Sequence, residues 1–322
     1  MSLTSKTNQR PNTNHRWAVV LAGGDGTRLQ ELTYRISGDA RPKQFCHFFG
    51  GKSLLGHTRE RIGPLFDGEQ TLFVLSRAHE AYYRRDLAKV RARNTVIQSA
   101  NRGTALALAL CLHVIAQRDE DAIVSFFPSD HYYSNSSAFH ENIESGLRLI
   151  EEYPDCILVV GAEARYAEVE YGWIQPGRTL VDSIANPLLR VSRFWEKPAL
   201  KRAEVLKRRG CLWNTFITTG RVAAFMELFQ AAVPQLTRLL EDSFMRGQID
   251  ELYSRIAPVD FSRAVLTRMP ARLVVLRDAA SGWTDFGSPR RVMDVLLSQG
   301  IRPPWMNPGR EEGRKFSQYE LA

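Results

Sequence analysis

Along the chain, apolar residues fall into short unbroken runs separated by longer stretches in which they recur every three or four positions. Trp17-Ala18-Val19-Val20-Leu21-Ala22 is the first such run, and Thr71–Ser76, Ala122–Phe127 and Cys156–Gly161 follow it. Runs of that length without polar alternation predict strands buried on both faces. Between them, the spacing predicts helices near Ser53–Phe66, His79–Arg91, Thr104–Gln117 and Ala138–Glu152. Strand and helix thus alternate through the first half, which argues a parallel sheet covered on both sides. The second half is less regular. Strand-like pieces lie at Gly172–Gln175, Leu188–Glu196 and Arg272–Arg277, with helices near Leu200–Arg209, Val222–Ala232, Pro234–Arg246 and Pro289–Ser298. The pattern predicts an α/β fold with a mixed, mostly parallel central sheet. It also predicts a disordered, polar leader over 1–14, one domain over 15–300 and a polar, proline-containing tail over 301–322.

Composition narrows the setting. Of 322 residues, 44% are hydrophobic and 24% charged, which is ordinary for a globular protein. No apolar run reaches the ~18–20 residues of a membrane-spanning helix, and Met1–His15 lacks the apolar core of a signal peptide. A cytoplasmic location without a membrane partner is therefore expected. Cys46, Cys111, Cys156 and Cys211 are widely spaced, form no CxxC pair and read as free thiols. The formal charge of +8 suits a polyanionic partner. Its basic residues are scattered, apart from clusters such as Lys207-Arg208-Arg209, which read as the solvated end of a helix. No nucleic-acid-binding signature is present, so nucleotides are favoured over nucleic acid.

The candidate chemistry begins directly after the first strand, at Leu21-Ala22-Gly23-Gly24-Asp25-Gly26-Thr27-Arg28-Leu29. Glycines there let several backbone N–H groups turn toward a phosphate. Arg28 adds a planar guanidinium able to grip phosphate oxygens in a two-pronged way. Two other phosphate motifs fail by one residue. The dinucleotide fingerprint needs glycine where Leu29 stands, and the P-loop preceding Gly51-Lys52-Ser53 needs glycine at Cys46. Ser53 is better read as the start of a helix.

Gly-Gly-x-Gly-Thr-Arg after a first strand resembles the signature of the sugar-1-phosphate nucleotidyltransferases, the mannose-1-phosphate guanylyltransferases in particular. Further segments resemble that family in its own order. They are Arg41-Pro42-Lys43-Gln44-Phe45, Gln98 with Asn101-Arg102-Gly103-Thr104-Ala105, Phe127-Pro128-Ser129-Asp130-His131 and Tyr171-Gly172-Trp173-Ile174. Phe194-Trp195-Glu196-Lys197-Pro198, Trp213-Asn214 and Gly282-Trp283-Thr284-Asp285-Phe286-Gly287-Ser288 complete the series. The resemblance implies a Rossmann-like nucleotide-diphospho-sugar transferase fold for the catalytic domain. It also implies transfer of GMP from GTP to α-D-mannose 1-phosphate, by in-line attack on the α-phosphorus with release of pyrophosphate. Such chemistry asks mainly for positioning and charge neutralisation.

By the same resemblance, Arg28 and Lys43 would serve the triphosphate and Lys197 the sugar phosphate; with Asp130 they form the expected catalytic set. Leu21, Ala22, Gly23, Gly24, Gly26 and Thr27 would cradle the nucleotide, and Gln98, Arg102 and Gly103 the base. Gly172, Glu196 and Asn214 would meet the sugar. Asp130 and Asp285 are similar to the family's two ligands for Mg2+ or another divalent cation. A homo-oligomer is compatible with all of this. Without the resemblance, Lys43 reads as an exposed loop lysine, Asp130 as a helix cap, and Glu196-Lys197 as a surface pair worth ~0–1 kcal/mol.

Four departures stand out. The segment Leu29–Arg41 is long and lacks the expected Trp-Pro-Leu. Glu163-Ala164 replaces Pro-Thr, and Glu170 stands where the family has glycine before Tyr171. Asn214-Thr215-Phe216 replaces Asn-Ser-Gly. Neither an isomerase domain nor a hexapeptide-repeat extension is expected after the last motif. The rivals are an enzyme for another base or hexose and a non-catalytic relative that binds a nucleotide sugar. The presence of Arg28, Lys43, Asp130, Lys197 and Asp285 argues against the second.

Overall fold

In a computed structural model, residues 15–181, 187–278 and 280–306 are described. The predicted leader, 1–14, and most of the predicted tail, 307–322, lie outside the described residues. The central sheet contains β1 (Arg16–Ala22), β2 (Thr71–Ser76), β3 (Thr95–Gln98), β4 (Ile123–Pro128), β6 (Ile157–Glu163), β7 (Gly172–Val181), β8 (Leu188–Glu196), β9 (Leu212–Arg221) and β10 (Leu273–Asp278). Two short strands, β5 (Tyr132–Tyr133) and β11 (Trp283–Thr284), form a separate pair beside it. The nine strands are ordered β3-β2-β1-β4-β9-β6-β10-β8-β7. Only β9 and β8 run against the others, which gives the mixed, mostly parallel sheet expected.

Helices cover both faces. On one lie α4 (Thr104–Ala116), α7 (Val222–Ala232), α8 (Pro234–Met245) and α9 (Ile249–Arg255); on the other, α2 (Leu54–Ile62) and α5 (Ser136–Glu152). The near-uniform apolar character of α4 is explained by burial of Ala105–Leu112 and Ile115 beneath α7 and α8. Ser53 does begin α2, its hydroxyl accepting from the Gly56 N–H at 3.0 Å. The Lys207–Arg209 cluster closes α6 (Leu200–Arg208) on an exposed face, and all four cysteines are free and buried.

Several elements depart from expectation. The helix expected over His79–Arg91 is reduced to α3 (Glu80–Tyr83) followed by turns. There the Asp86 carbonyl accepts from the Arg59 guanidinium and its carboxylate from Ser53, which ties the backbone to α2. The long segment after Leu29 contains α1 (Gln30–Ser37). The last helix, α10 (Pro289–Ser298), starts on a Ser288 cap with Pro289 in its first turn. Beyond it Ile301, Trp305 and Met306 lean on a cluster of Leu29, Phe48, Phe286 and Leu296, so the predicted tail is packed at least to Met306.

Candidate active site

The carboxyl ends of β1, β3 and β4 open onto a cavity of about 470 Å3, where ligands of open α/β sheets sit. Its first wall is the loop after β1. Leu21, Gly23, Gly24, Gly26 and Arg28 line it, Thr27 faces an adjoining recess, and Ala22 is buried within the strand. Gly26 has φ 61°, and a side chain there would press on the Lys43 amide at 3.0 Å. Gln44 fastens this loop from beneath, donating to the carbonyls of Ala22 (3.1 Å) and Gly24 (2.6 Å).

Gln98, at the end of β3, is buried and faces Gly23, where an added methyl group would lie 2.8 Å from its Oε1. Asn101 joins the two loops by donating to Asp25 Oδ2 at 2.9 Å. Gly103 has φ 82°, and a Cβ there would sit 2.3 Å from the Val259 carbonyl. That closeness reflects a tie between this turn and residues 259–261. Ala105 N–H donates to Val259 O at 3.0 Å, and Phe261 N–H donates to Thr104 Oγ1 at 2.9 Å. Arg102 is placed differently from expectation. Its Nε donates to the Tyr253 carbonyl at 2.5 Å and it does not line the cavity, so it anchors the turn rather than facing a base. Thr104 and Ala107 line the cavity although α4 reads as pure core.

At the floor, Asp130 follows β4 and Asp285 follows β11, and both line the cavity. Lys43 links them. It is 7% exposed, pairs with Asp130 Oδ2 at 3.1 Å and donates to the carbonyls of Asp285 (2.7 Å) and Phe286 (3.2 Å). All three ammonium protons thus have protein acceptors. The arrangement makes Lys43 a strut between the carboxylate segments, and it borders the recess that Thr27 and Arg28 also line. Burial alone would raise the Asp130 carboxyl, but Lys43 and His131 outweigh it and hold the group below its usual range. Burial of Asp285 is likewise overcome, by Arg291 and Lys43, which bring its carboxyl down to about 2. Its Oδ1 accepts from Tyr171 Oη (2.7 Å), Gly287 N–H (2.8 Å) and Arg291 Nη1 (2.7 Å).

Among the described residues no cluster of three or more Asp, Glu, His or Cys could hold a metal ion. Two ionised carboxylates at one cavity nevertheless fit a hard cation that takes its remaining ligands from phosphate oxygens and water.

The third wall comes from β7, β8 and β9. Gly172 pairs with Glu196 across the β7–β8 register, and Asn214 follows on β9. Glu196 Oε2 is buried without a hydrogen-bond partner. Burial, with the Asp260 charge adding to it, pushes the Glu196 carboxyl up to about 7. Lys197 follows with φ 47° and an N–H donated to Tyr171 O at 3.1 Å. Its ammonium lies 3.4 Å from Glu170 Oε2, as the Arg28 guanidinium does at 3.3 Å. Phe216, where the resembled pattern has glycine, keeps a glycine-like φ of 67° and lines the cavity.

Sequence reasoning brings Arg28, Gln98, Gly103, Asp130, Gly172, Glu196, Asn214 and Asp285 to one cavity. It misses Gln44 and Asn101 as loop ties, Asp260 and Ser262 as cavity lining, and Glu168 and Arg291 as the ion pair behind Asp285.

The family described as Nucleotidyl transferase matches residues 17–298. Mannose-1-phosphate guanylyltransferase of Klebsiella pneumoniae is 26% identical over 283 residues, covering 84% of this chain and 58% of that protein. The enzyme of that name from Escherichia coli is 26% identical over 296 residues, covering 88% and 60%. The chain thus spans about three fifths of the length of these relatives. A crystal structure of mannose-1-phosphate geranyltransferase from Thermus thermophilus superposes with a TM-score of 0.75 at 28% identity, covering 87% of this chain and 79% of that one.

Proposed function

The chain belongs to the nucleotidyl transferase family, and on that footing we propose that it transfers GMP from GTP to α-D-mannose 1-phosphate, giving GDP-mannose and pyrophosphate. The observation that carries this reading is the pairing of two unlike ends in one cavity. At one end is a glycine-rich loop with Arg28; at the other is Glu196, whose buried Oε2 has no partner. A buried acceptor left unpaired costs ~1–3 kcal/mol, which a sugar hydroxyl donating to it would recover. The cavity therefore suits a ligand with phosphates at one side and hydroxyls at the other.

In this reading the amides of the Gly23–Thr27 loop and Arg28 hold the triphosphate, and Gln98 reads the base edge with both a donor and an acceptor. Asn214 and Glu196 orient the sugar while Lys197 draws its phosphate toward the α-phosphorus. Holding both reactants in line is the main source of acceleration, since no covalent enzyme intermediate is needed. Asp130 and Asp285 would hold a divalent cation such as Mg2+, which when bound neutralises phosphate charge. Lys43 keeps both carboxylates in place. A cytoplasmic setting agrees with four free thiols, and no helix among the described residues is long and apolar enough to cross a membrane.

The test is a pyrophosphate-release screen of GTP, ATP, UTP, CTP and dTTP against several sugar 1-phosphates. GTP with mannose 1-phosphate should give the highest kcat/KM. A clear preference for UTP or dTTP with glucose 1-phosphate would overturn the assignment.

A further inference from the structure

Glu170 precedes β7, at the place where the resembled pattern has glycine, and it lines the cavity. Its Oε2 accepts from Arg28 Nη1 at 3.3 Å and from Lys197 Nζ at 3.4 Å. The two cations come from different elements, one from the loop after β1 and the other from the residue that follows β8. A single oxygen shared by two such cations is what a bridging phosphate oxygen would be. The main chain that carries this carboxylate is fixed from behind. The N–H groups of Val169 and Glu170 donate to Glu168 Oε1 at 2.8 and 2.9 Å, and the buried Glu168 pairs with Arg291. The Lys197 main chain is fixed as well, by its bond to Tyr171 O.

We propose that Glu170 is a resident anion, occupying the phosphate position between Arg28 and Lys197, and that phosphate ligands bind by exchanging with it. The proposal rests on reading Arg28 and Lys197 as phosphate-binding cations. Two cations drawn to one oxygen repel each other, and the carboxylate between them relieves that repulsion. The side chains of Arg28, Glu170 and Lys197 are 51%, 47% and 44% exposed. Ion pairs this open to water are individually weak, so a multiply charged phosphate can displace the carboxylate. The displaced carboxylate either turns to solvent or remains and repels the newcomer. Both outcomes lower phosphate affinity. The effect bears most directly on free pyrophosphate, which gains no base or sugar contacts to offset it. Glu170 thereby favours release of that product.

The experiment is calorimetric binding of inorganic pyrophosphate at fixed pH and ionic strength to wild type, Glu170→Gln, Lys197→Met and the double variant. Charge removal at nearly constant size should tighten pyrophosphate binding about tenfold, the scale of one like-charge contact near a surface. In the Lys197→Met background the same change should gain less than about threefold, because one of the two contested cations is gone. Unchanged or weaker binding to Glu170→Gln, or no pyrophosphate binding to either protein, overturns the proposal. Thermal melts confirm that each variant is folded. These measurements need no turnover, so a protein inactive in the substrate screen would overturn the activity while leaving the exchange separately decided.

Discussion

Glu196→Gln should make the protein more stable at alkaline pH while damaging sugar-phosphate binding. In the folded chain burial, with Asp260 adding to it, lifts the Glu196 carboxyl from its ordinary 4.5 to about 7. The folded state is then harder to ionise than the unfolded one. Below the unfolded value both states are protonated and the residue is neutral toward stability. As pH rises through the interval the unfolded chain loses its proton first, and stability falls until the folded carboxyl has also ionised. At about 1.4 kcal/mol per pH unit, the full penalty is on the order of 3 kcal/mol. Linkage puts roughly a quarter of it in place at pH 5 and nearly all of it at pH 8.5.

Glutamine keeps the shape without the charge, so its advantage over wild type should grow by roughly 2–3 kcal/mol between those pH values. The difference between variant and wild type cancels the titration of every group that the substitution leaves alone. The assay is denaturant unfolding of both proteins at pH 5.0 and 8.5. At roughly 2 °C per kcal/mol for a domain of this size, the variant's melting-point advantage over wild type should grow by about 5 °C between pH 5.0 and 8.5. In the same variant KM for the sugar phosphate should rise at least about fivefold, with KM for GTP nearly unchanged. A stability difference that is flat with pH would refute the buried, destabilised carboxylate. Equal effects on both KM values would remove Glu196 from the sugar end.

Arg28→Lys should lower kcat at least about tenfold, or ~1.4 kcal/mol in barrier, because a point-like ammonium cannot reproduce a two-pronged grip. Near wild-type turnover in a folded variant would count against the triphosphate assignment. For Asp130→Asn, Asp285→Asn and the double variant, magnesium titrations of turnover should show the double losing much less than the sum of the single losses, as expected of ligands to one cation. Additive losses, or an unchanged magnesium dependence in Asp285→Asn, would separate the two residues.

The strands most legible in the sequence are those whose apolar side chains fill both faces of the sheet, β1, β2, β4 and β6, and strand-like pieces also marked β7, β8 and β10. The sheet's central antiparallel strand, β9, was not, and its chemistry explains why. Its buried residues include Asn214, Thr215, Thr218 and Thr219, and a buried polar group normally counts against a core strand. Here the hydroxyls are satisfied by neighbours. Thr219 Oγ1 meets Ser125 Oγ of β4 at 2.9 Å, and Thr215 Oγ1 donates to Val160 O of β6 at 2.8 Å. Such pairing depends on which strands lie alongside, and no window of the sequence contains that. The helix expected over 79–91 fails for a related reason, since Arg59 and Ser53, more than 20 positions earlier, claim the groups of Asp86.

The site was legible where its function lies in the residue type and hidden where it lies in backbone geometry. Arg28, Asp130, Glu196 and Asp285 could be read as charges at suggestive positions. Nothing in the sequence marks Lys197 and Phe286 as left-handed, and only the glycine of the resembled pattern marks Phe216, yet these are the only described residues other than glycine with positive φ, at 47°, 49° and 67° respectively. Each such residue costs on the order of 1–3 kcal/mol and persists only where its surroundings dictate it. Those surroundings are visible here. Lys197 is held by Tyr171 O, the Phe216 N–H by Asn214 Oδ1 at 3.1 Å, and the Phe286 ring by stacking on Tyr132 at 5.5 Å. Phe286 also presents its carbonyl to Lys43, and Lys197 its ammonium to Glu170. All three therefore touch or adjoin the groups assigned to phosphate, sugar or metal. Elsewhere among the described residues, positive φ is left to glycine. The strain is confined to the cavity because only there must a bulky or charged side chain leave a turn in a direction that ordinary backbone does not offer.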